Sequence, residues 1–114
     1  FIHNALPEMH ADEVDSRVEL FGKTLRAPVV IAAMTGGTDE AARINKELAS
    51  VAQELGLAIG LGSQRAMFER PATAWTFQVR DAAPDVLLFG NLGLVQARVM
   101  STADIRKLCD DVGV

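Results

Sequence analysis

The sequence predicts an α/β chain built on a parallel sheet, and three observations support that fold class. Three continuous apolar runs, residues 29–33, 57–61 and 86–89, have the length and unbroken hydrophobicity of strands buried on both faces. Between and after them the apolar residues recur at helical spacing. The runs begin about thirty residues apart, the span of one strand–helix crossover. Strand and helix alternating in this way is the βαβ pattern, which excludes an all-helical bundle or a β-sandwich.

Residues 5–15, interrupted by Pro7 and charged at Asp12, Glu13 and Asp15, read as an irregular lead-in. Residues 18–26 predict a short hairpin around Gly22-Lys23, punctuated by Pro28. Lead-in and hairpin thus occupy residues 1–27, and about three βα units occupy 28–114 of a single domain. The first strand is bounded by Pro28 and Gly36-Gly37. Thr38 or Asp39 caps the first helix, with apolar positions at Ala41, Ile44, Leu48, Val51, Ala52 and Leu55, and Gly56 supplies its left-handed stop. The second strand leads into Gly62-Ser63. Pro71 opens a helix through Trp75, Val79 and Ala82 that stops before Pro84. The third strand ends in Gly90-Asn91-Leu92-Gly93, and Ser101 or Thr102 caps a last helix carrying Ile105, Leu108, Cys109 and Val112 on one side.

Three strands leave two open edges that something must close. A complete (β/α)8 barrel takes about 250 residues, and the 114 residues supply fewer than half of its units. The expectation is part of a larger barrel or a small open sheet completed by a partner. Phe1 is neither Met nor a small residue exposed by Met removal, which predicts a segment upstream; the last helix runs into Gly113 with no closing strand, which predicts one downstream.

Composition narrows the function. The balance of 11 basic and 15 acidic side chains, net charge −4, gives no basic footprint for nucleic acid or an anionic membrane. No apolar run approaches the roughly 20 residues that span a bilayer. The one cysteine, Cys109, falls on the apolar side of a helix and reads as a small hydrophobe; nothing in the cysteine count indicates an oxidising compartment, so the cytoplasm is expected. His3 and His10 lack a matching ligand pair, and no metal site is expected in this chain. Gly60-Leu61-Gly62 begins like a dinucleotide fingerprint, but Arg65 stands where the third glycine belongs.

Ligands of parallel α/β folds bind beyond the C-terminal ends of the strands. There the sequence places Met34-Thr35-Gly36-Gly37, Gly62-Ser63-Gln64-Arg65 and Gly90-Asn91-Leu92-Gly93. Glycine permits close backbone approach to a flat or anionic ligand, and Thr35, Ser63, Gln64 and Asn91 supply directional hydrogen bonds. Arg65 offers a planar cation suited to phosphate. Ordinary βα turns use the same residue types for local reasons; it is the recurrence at three strand ends that points to a shared rim.

These loops resemble type 2 isopentenyl-diphosphate isomerase, a flavin-dependent (β/α)8, or TIM-barrel, family. The likeness is carried by Ala5-Leu6-Pro7-Glu8, Leu20-Phe21-Gly22-Lys23, Ala33-Met34-Thr35-Gly36-Gly37-Thr38, Ile44-Asn45, Gly62-Ser63-Gln64-Arg65 and Asn91-Leu92-Gly93. The resemblance implies the first strands and helices of such a barrel, incomplete in this chain, with Ala33, Met34, Thr35, Ser63 and Asn91 toward FMN. It implies Ser63, Gln64 and Arg65 toward a small-molecule diphosphate. The implied reaction interconverts isopentenyl and dimethylallyl diphosphate, with reduced FMN as acid or base, Mg²⁺, and NAD(P)H as reductant, in a homo-oligomer. The family's magnesium glutamate, its lysine near the flavin and its late phosphate loops fall outside these residues, so no proton donor can be named and the isolated chain is expected to be inactive. Two other expectations stand beside it: another FMN barrel oxidoreductase of the α-hydroxy-acid oxidase type, and a non-catalytic half-barrel that needs a partner chain.

Overall fold

A tight hairpin precedes the sheet. In the computed structural model, which describes residues 2–114, Val18–Leu20 (β1) and Lys23–Leu25 (β2) pair antiparallel, with Val18 opposite Leu25 and Leu20 opposite Lys23. Both turn residues, Phe21 and Gly22, have positive φ (49° and 74°), the conformation whose twist suits a two-residue hairpin loop. Glycine adopts it freely, whereas Phe21 is a bulky residue in the left-handed region. Phe21 meets Phe89 edge-on with ring centroids 6.0 Å apart, a favourable aromatic geometry that seats the hairpin on the sheet. Lys23 Nζ reinforces the seat by donating to Asp85 O at 2.6 Å. Within the lead-in, Ala11–Glu13 forms one 3₁₀ turn.

The three apolar runs pair in parallel as expected. Val30–Ile31 (β3), Ala58–Ser63 (β4) and Leu87–Asn91 (β5) form a sheet in the order β3-β4-β5, with Ile31 opposite Ile59 and Ile59 opposite Leu88. Strand order follows chain order, so each crossover advances in the same direction. Among the described residues the sheet stays open at both edges and does not close into a barrel.

The expectation that all three strands are buried on both faces is corrected. Only β4 is buried along nearly its whole length; β3 is two residues long and leaves Val29 and Val30 exposed, and β5 exposes Gly90 and Asn91. The physical reason is position: the middle strand has neighbours on both sides, and the edge strands have one each.

The first helix, α1, runs Asp39–Leu55. Thr38 caps it by accepting from Ala41 N at 3.2 Å, and Gly56 ends it at φ 66°. Its buried stripe is Ala41, Ala42, Asn45, Ala49 and Ala52. Val51 and Leu55, expected on the apolar side, are exposed instead. Small side chains let the helix backbone lie close to the sheet, which rotates the larger residues outward.

The helix expected after Pro71 is also corrected. A short helix, α2 (Arg65–Glu69), comes first where a loop is expected, and Pro71–Phe77 is then a 3₁₀ segment rather than an α-helix to residue 82. Thr73 Oγ1 donates to Ala66 O and Arg70 O, and Thr76 Oγ1 to Thr73 O. Hydroxyls that bond nearby carbonyls compete with regular helical hydrogen bonding. Leu94–Ala97 (α3) is a further short helix, and α4 (Thr102–Val112) is capped by Ser101, whose hydroxyl accepts from Asp104 N at 3.1 Å.

The core gathers Ile59, Leu61, Phe77 and Val79, all fully buried, with Leu88, Leu108 and Val112 around them. It does not cover the whole chain. The accessible surface is 7838 Å² against about 6,100 Å² for a self-contained domain of this mass. The radius of gyration is 17.0 Å, where a compact chain of this length has about 13 Å. The surplus apolar surface lies in the lead-in (Ile2, Leu6), on the β3 edge (Val29, Val30) and in and after α3 (Leu94, Val95, Val99).

Candidate functional site

Parallel pairing brings the three strand ends to one edge of the sheet. Gly62 N donates to Thr35 O at 2.9 Å, Gln64 N donates to Asn91 O at 2.8 Å, and Ser63 stands opposite Asn91 in register. Thr35, Ser63 and Asn91 therefore form a continuous rim across β3, β4 and β5. Two glycines make it close. A Cβ at Gly62 would collide with the Thr35 backbone, and one at Gly60 would press on Ala33 at 3.0 Å. Here glycine serves the approach of one backbone to another rather than a turn.

The loop after β3 is shaped by its neighbours. Gly36 lies against the buried Phe77 ring, where a Cβ would clash, and Gly37 has φ 88°. Gly37 N donates to Thr76 Oγ1 at 2.9 Å. Behind the loop, Asn45 of α1 bonds both the hydroxyl and the carbonyl of Thr35. Met34 projects from the same loop with 79% of its surface exposed.

The residues read from sequence separate into two groups. Ala33 and Thr35 are half-buried and Met34, Ser63, Asn91 and Arg65 exposed, all at or beside the rim. Ser63 Oγ accepts from Arg65 N at 3.4 Å, and the Arg65 guanidinium stands 3.7 Å from Glu69, a long exposed ion pair along α2. Such a pair contributes little and leaves the cation able to meet a stronger anion. Gln64 differs. It is 3% exposed, and its Nε2 donates to Leu108 O at 2.9 Å and toward Met67 Sδ at 3.6 Å. Its backbone belongs to the rim while its side chain ties α4 to the core, so a contact from the Gln64 amide to a ligand at the rim does not fit this arrangement.

The groups whose acidity is displaced lie elsewhere. Arg17 hydrogen-bonds Asp15 and holds its pKa down at about 2. Asp104 is lowered by the Ser101 hydroxyl and N–H, Asp81 by Lys46 and Glu40 by Arg43, the first and last on helices and Asp81 in the turn after the 3₁₀ segment. The exposed Arg43, paired with Glu40 and Glu47, is the solvated residue its position in α1 predicts. His3 and His10 are exposed, and no three-residue cluster of His, Cys, Asp or Glu suited to a metal ion occurs among the described residues. No helix among them is long and apolar enough to cross a membrane.

Sequence reading missed Asn45 as a working residue. Its signal was a polar side chain four residues from Ala41 and four from Ala49, inside an otherwise small and apolar stripe.

The fold and rim define the class: a parallel βα assembly with a polar, glycine-rich mouth at the strand ends. The relatives are more particular. The chain is homologous to proteins named isopentenyl-diphosphate delta-isomerase. It is 60% identical over 94 residues to that of Synechocystis sp., a match covering 82% of the chain and 27% of the relative. Identity is 50% over 102 residues to that of Rickettsia felis, covering 90% and 30%. It is 50% over 95 residues to that of Ignicoccus hospitalis, covering 82% and 26%. The matches thus span between a quarter and a third of the length of these curated relatives. No family model matches the chain.

Proposed function

We propose that this chain is part of an isopentenyl-diphosphate isomerase of the flavin-dependent type, and that its rim forms one side of the binding site in a larger (β/α)8 barrel. The observation that carries this reading is the identity of 50–60% to isomerases, shared by a chain whose three strand ends form one mouth. The consecutive strand order β3-β4-β5 and the two uncovered edges suit a sheet that continues around a barrel.

The rim fits a planar ring. Glycines 60 and 62 keep the Ala33–Thr35 backbone flush with β4, and Ser63 and Asn91 offer exposed hydrogen-bonding groups beside it. On this reading Ala33, Met34, Thr35, Ser63 and Asn91 hold FMN. Ser63 and Arg65 hold the substrate, Arg65 meeting the diphosphate, while Gln64 supports them from beneath through its bond to Leu108 O. Reduced FMN supplies acid–base chemistry when bound. This chain's residues orient the ring and the anionic tail; the proton donor and the Mg²⁺ ligands belong to other parts of the barrel, with NAD(P)H as reductant. The working enzyme is a cytoplasmic homo-oligomer.

The test is a chimera in which the matching stretch of the Synechocystis relative is replaced by this sequence. It should bind FMN, seen by its absorbance, and convert isopentenyl to dimethylallyl diphosphate with NADPH and Mg²⁺. A folded chimera without FMN or turnover would overturn the proposal. The 114-residue chain alone should show no turnover.

A further inference from the structure

Asn45 occupies an unusual place for an amide. It is 3% exposed in the middle of α1, in a stripe otherwise made of alanines. Asparagine is a poor helix-interior residue, and burying an amide is costly unless its groups are bonded. Here they are bonded: Nδ2 lies 3.2 Å from Thr35 O and 3.1 Å from Thr76 O, and Oδ1 lies 2.6 Å from Thr35 Oγ1.

The chemistry of these partners fixes every direction of donation. Two carbonyls can only accept, so the amide nitrogen faces them and the oxygen faces the hydroxyl. An amide oxygen can only accept, so the Thr35 hydroxyl donates its proton inward. Thr35 O is also engaged, receiving Gly62 N as well as Asn45. The Thr35 side chain therefore has only oxygen lone pairs left for a ligand.

We infer that Asn45 is a positioning residue that turns the Thr35 hydroxyl into an obligate hydrogen-bond acceptor, so that the rim prefers a ring edge carrying N–H. This rests on the flavin reading above. A reduced isoalloxazine carries more N–H groups than the oxidised ring, whose additional edge nitrogens only accept. The Asn45–Thr35 pair thereby favours the reduced cofactor. A net hydrogen bond is worth about two- to tenfold, which for a two-electron couple is a potential shift of roughly 10–30 mV.

The experiment measures the FMN midpoint potential in the chimera by equilibration with a reference dye. Asn45→Leu, which releases the hydroxyl, and Thr35→Val, which removes it, should each lower the potential, and the double variant should go no lower than Thr35→Val alone. Thr35→Ser, which keeps a hydroxyl on the same acceptor, should hold the potential of the parent. If Asn45→Leu does not fold, Asn45→Ala, which also releases the hydroxyl without adding charge, carries the test. A potential indifferent to the Asn45 variants, additive effects in the double variant, or a fall in Thr35→Ser equal to that of Thr35→Val would overturn the positioning role while leaving the flavin reading intact. A folded parent chimera that binds no FMN would overturn both.

Discussion

β3 and β4 begin from nearly the same chemistry and end in different environments. Residues 29–33 and 57–61 are both unbroken apolar runs, yet Val30 is 47% exposed while Leu61 is completely buried. β4 has a strand on each side and α1 against it; β3 has one neighbour and an open edge. A hydrophobic run therefore states a demand for burial that the remainder of the fold has to meet. At β4 the demand is met within this chain, and at β3 it is left over as surface that further strands of a barrel would cover.

The largest expected effect lies in the middle strand. Leu61→Ala should destabilise by about 2–5 kcal/mol, since the surrounding core closes only partly over the cavity; urea unfolding of the 114-residue chain measures it. Gly62→Ala should disturb the rim more than the core, because a Cβ there meets the Thr35 backbone. Asn45→Ala comes next, at about 1–3 kcal/mol, because the Thr76 carbonyl loses its side-chain donor while the Thr35 carbonyl keeps only Gly62 N. A loss below a few tenths would show that the loop after β3 does not depend on this tether. Ser101→Ala, which removes the cap of α4, should cost about 1 kcal/mol. Val30→Thr, at the open edge, should stay within about 0.5 kcal/mol. If it matched Leu61→Ala, the contrast between the two strands would be wrong.

Acid titration gives the smallest effect. The Asp104 carboxylate accepts from Ser101 Oγ at 2.7 Å and Ser101 N at 2.9 Å, which lowers its folded pKa. The unfolded chain then takes up that proton at a higher pH than the folded one. The contribution is therefore fully present above the ordinary carboxylate pKa of about 4, and it fades as pH falls through the lowered folded value. Asp104→Asn should reduce stability at neutral pH, with the difference from wild type shrinking in acid. A difference that grows in acid would contradict the sign. Because the group is exposed, the amplitude should also fall with added salt.

Much of the fold was legible because it depends on short stretches of chain. Thr38 and Gly56 bracket α1, Ser101 opens α4, and Gly22 takes part in the hairpin turn, all for reasons contained within a few residues. The shared rim was legible too, since parallel strands necessarily carry their C-terminal ends to one edge. The short helices α2 and α3, of five and four residues, are too brief for periodicity to reveal. The 3₁₀ segment is not distinguishable from an α-helix in the sequence, because Pro71 announces a helical start equally well for either.

The alternation of strands and helices, their caps and the residue types at the strand ends are written in local stretches of chain, because hydrophobic period and local hydrogen bonding operate over a few residues. Long-range packing alone makes Gln64 turn inward to Leu108, lets Asn45 hold the Thr35 hydroxyl, and covers β4 rather than β3. Each of those outcomes depends on a partner brought near by the fold rather than by the local sequence pattern, and hydrogen-bond direction and burial are properties of the assembled neighbours rather than of the residue alone.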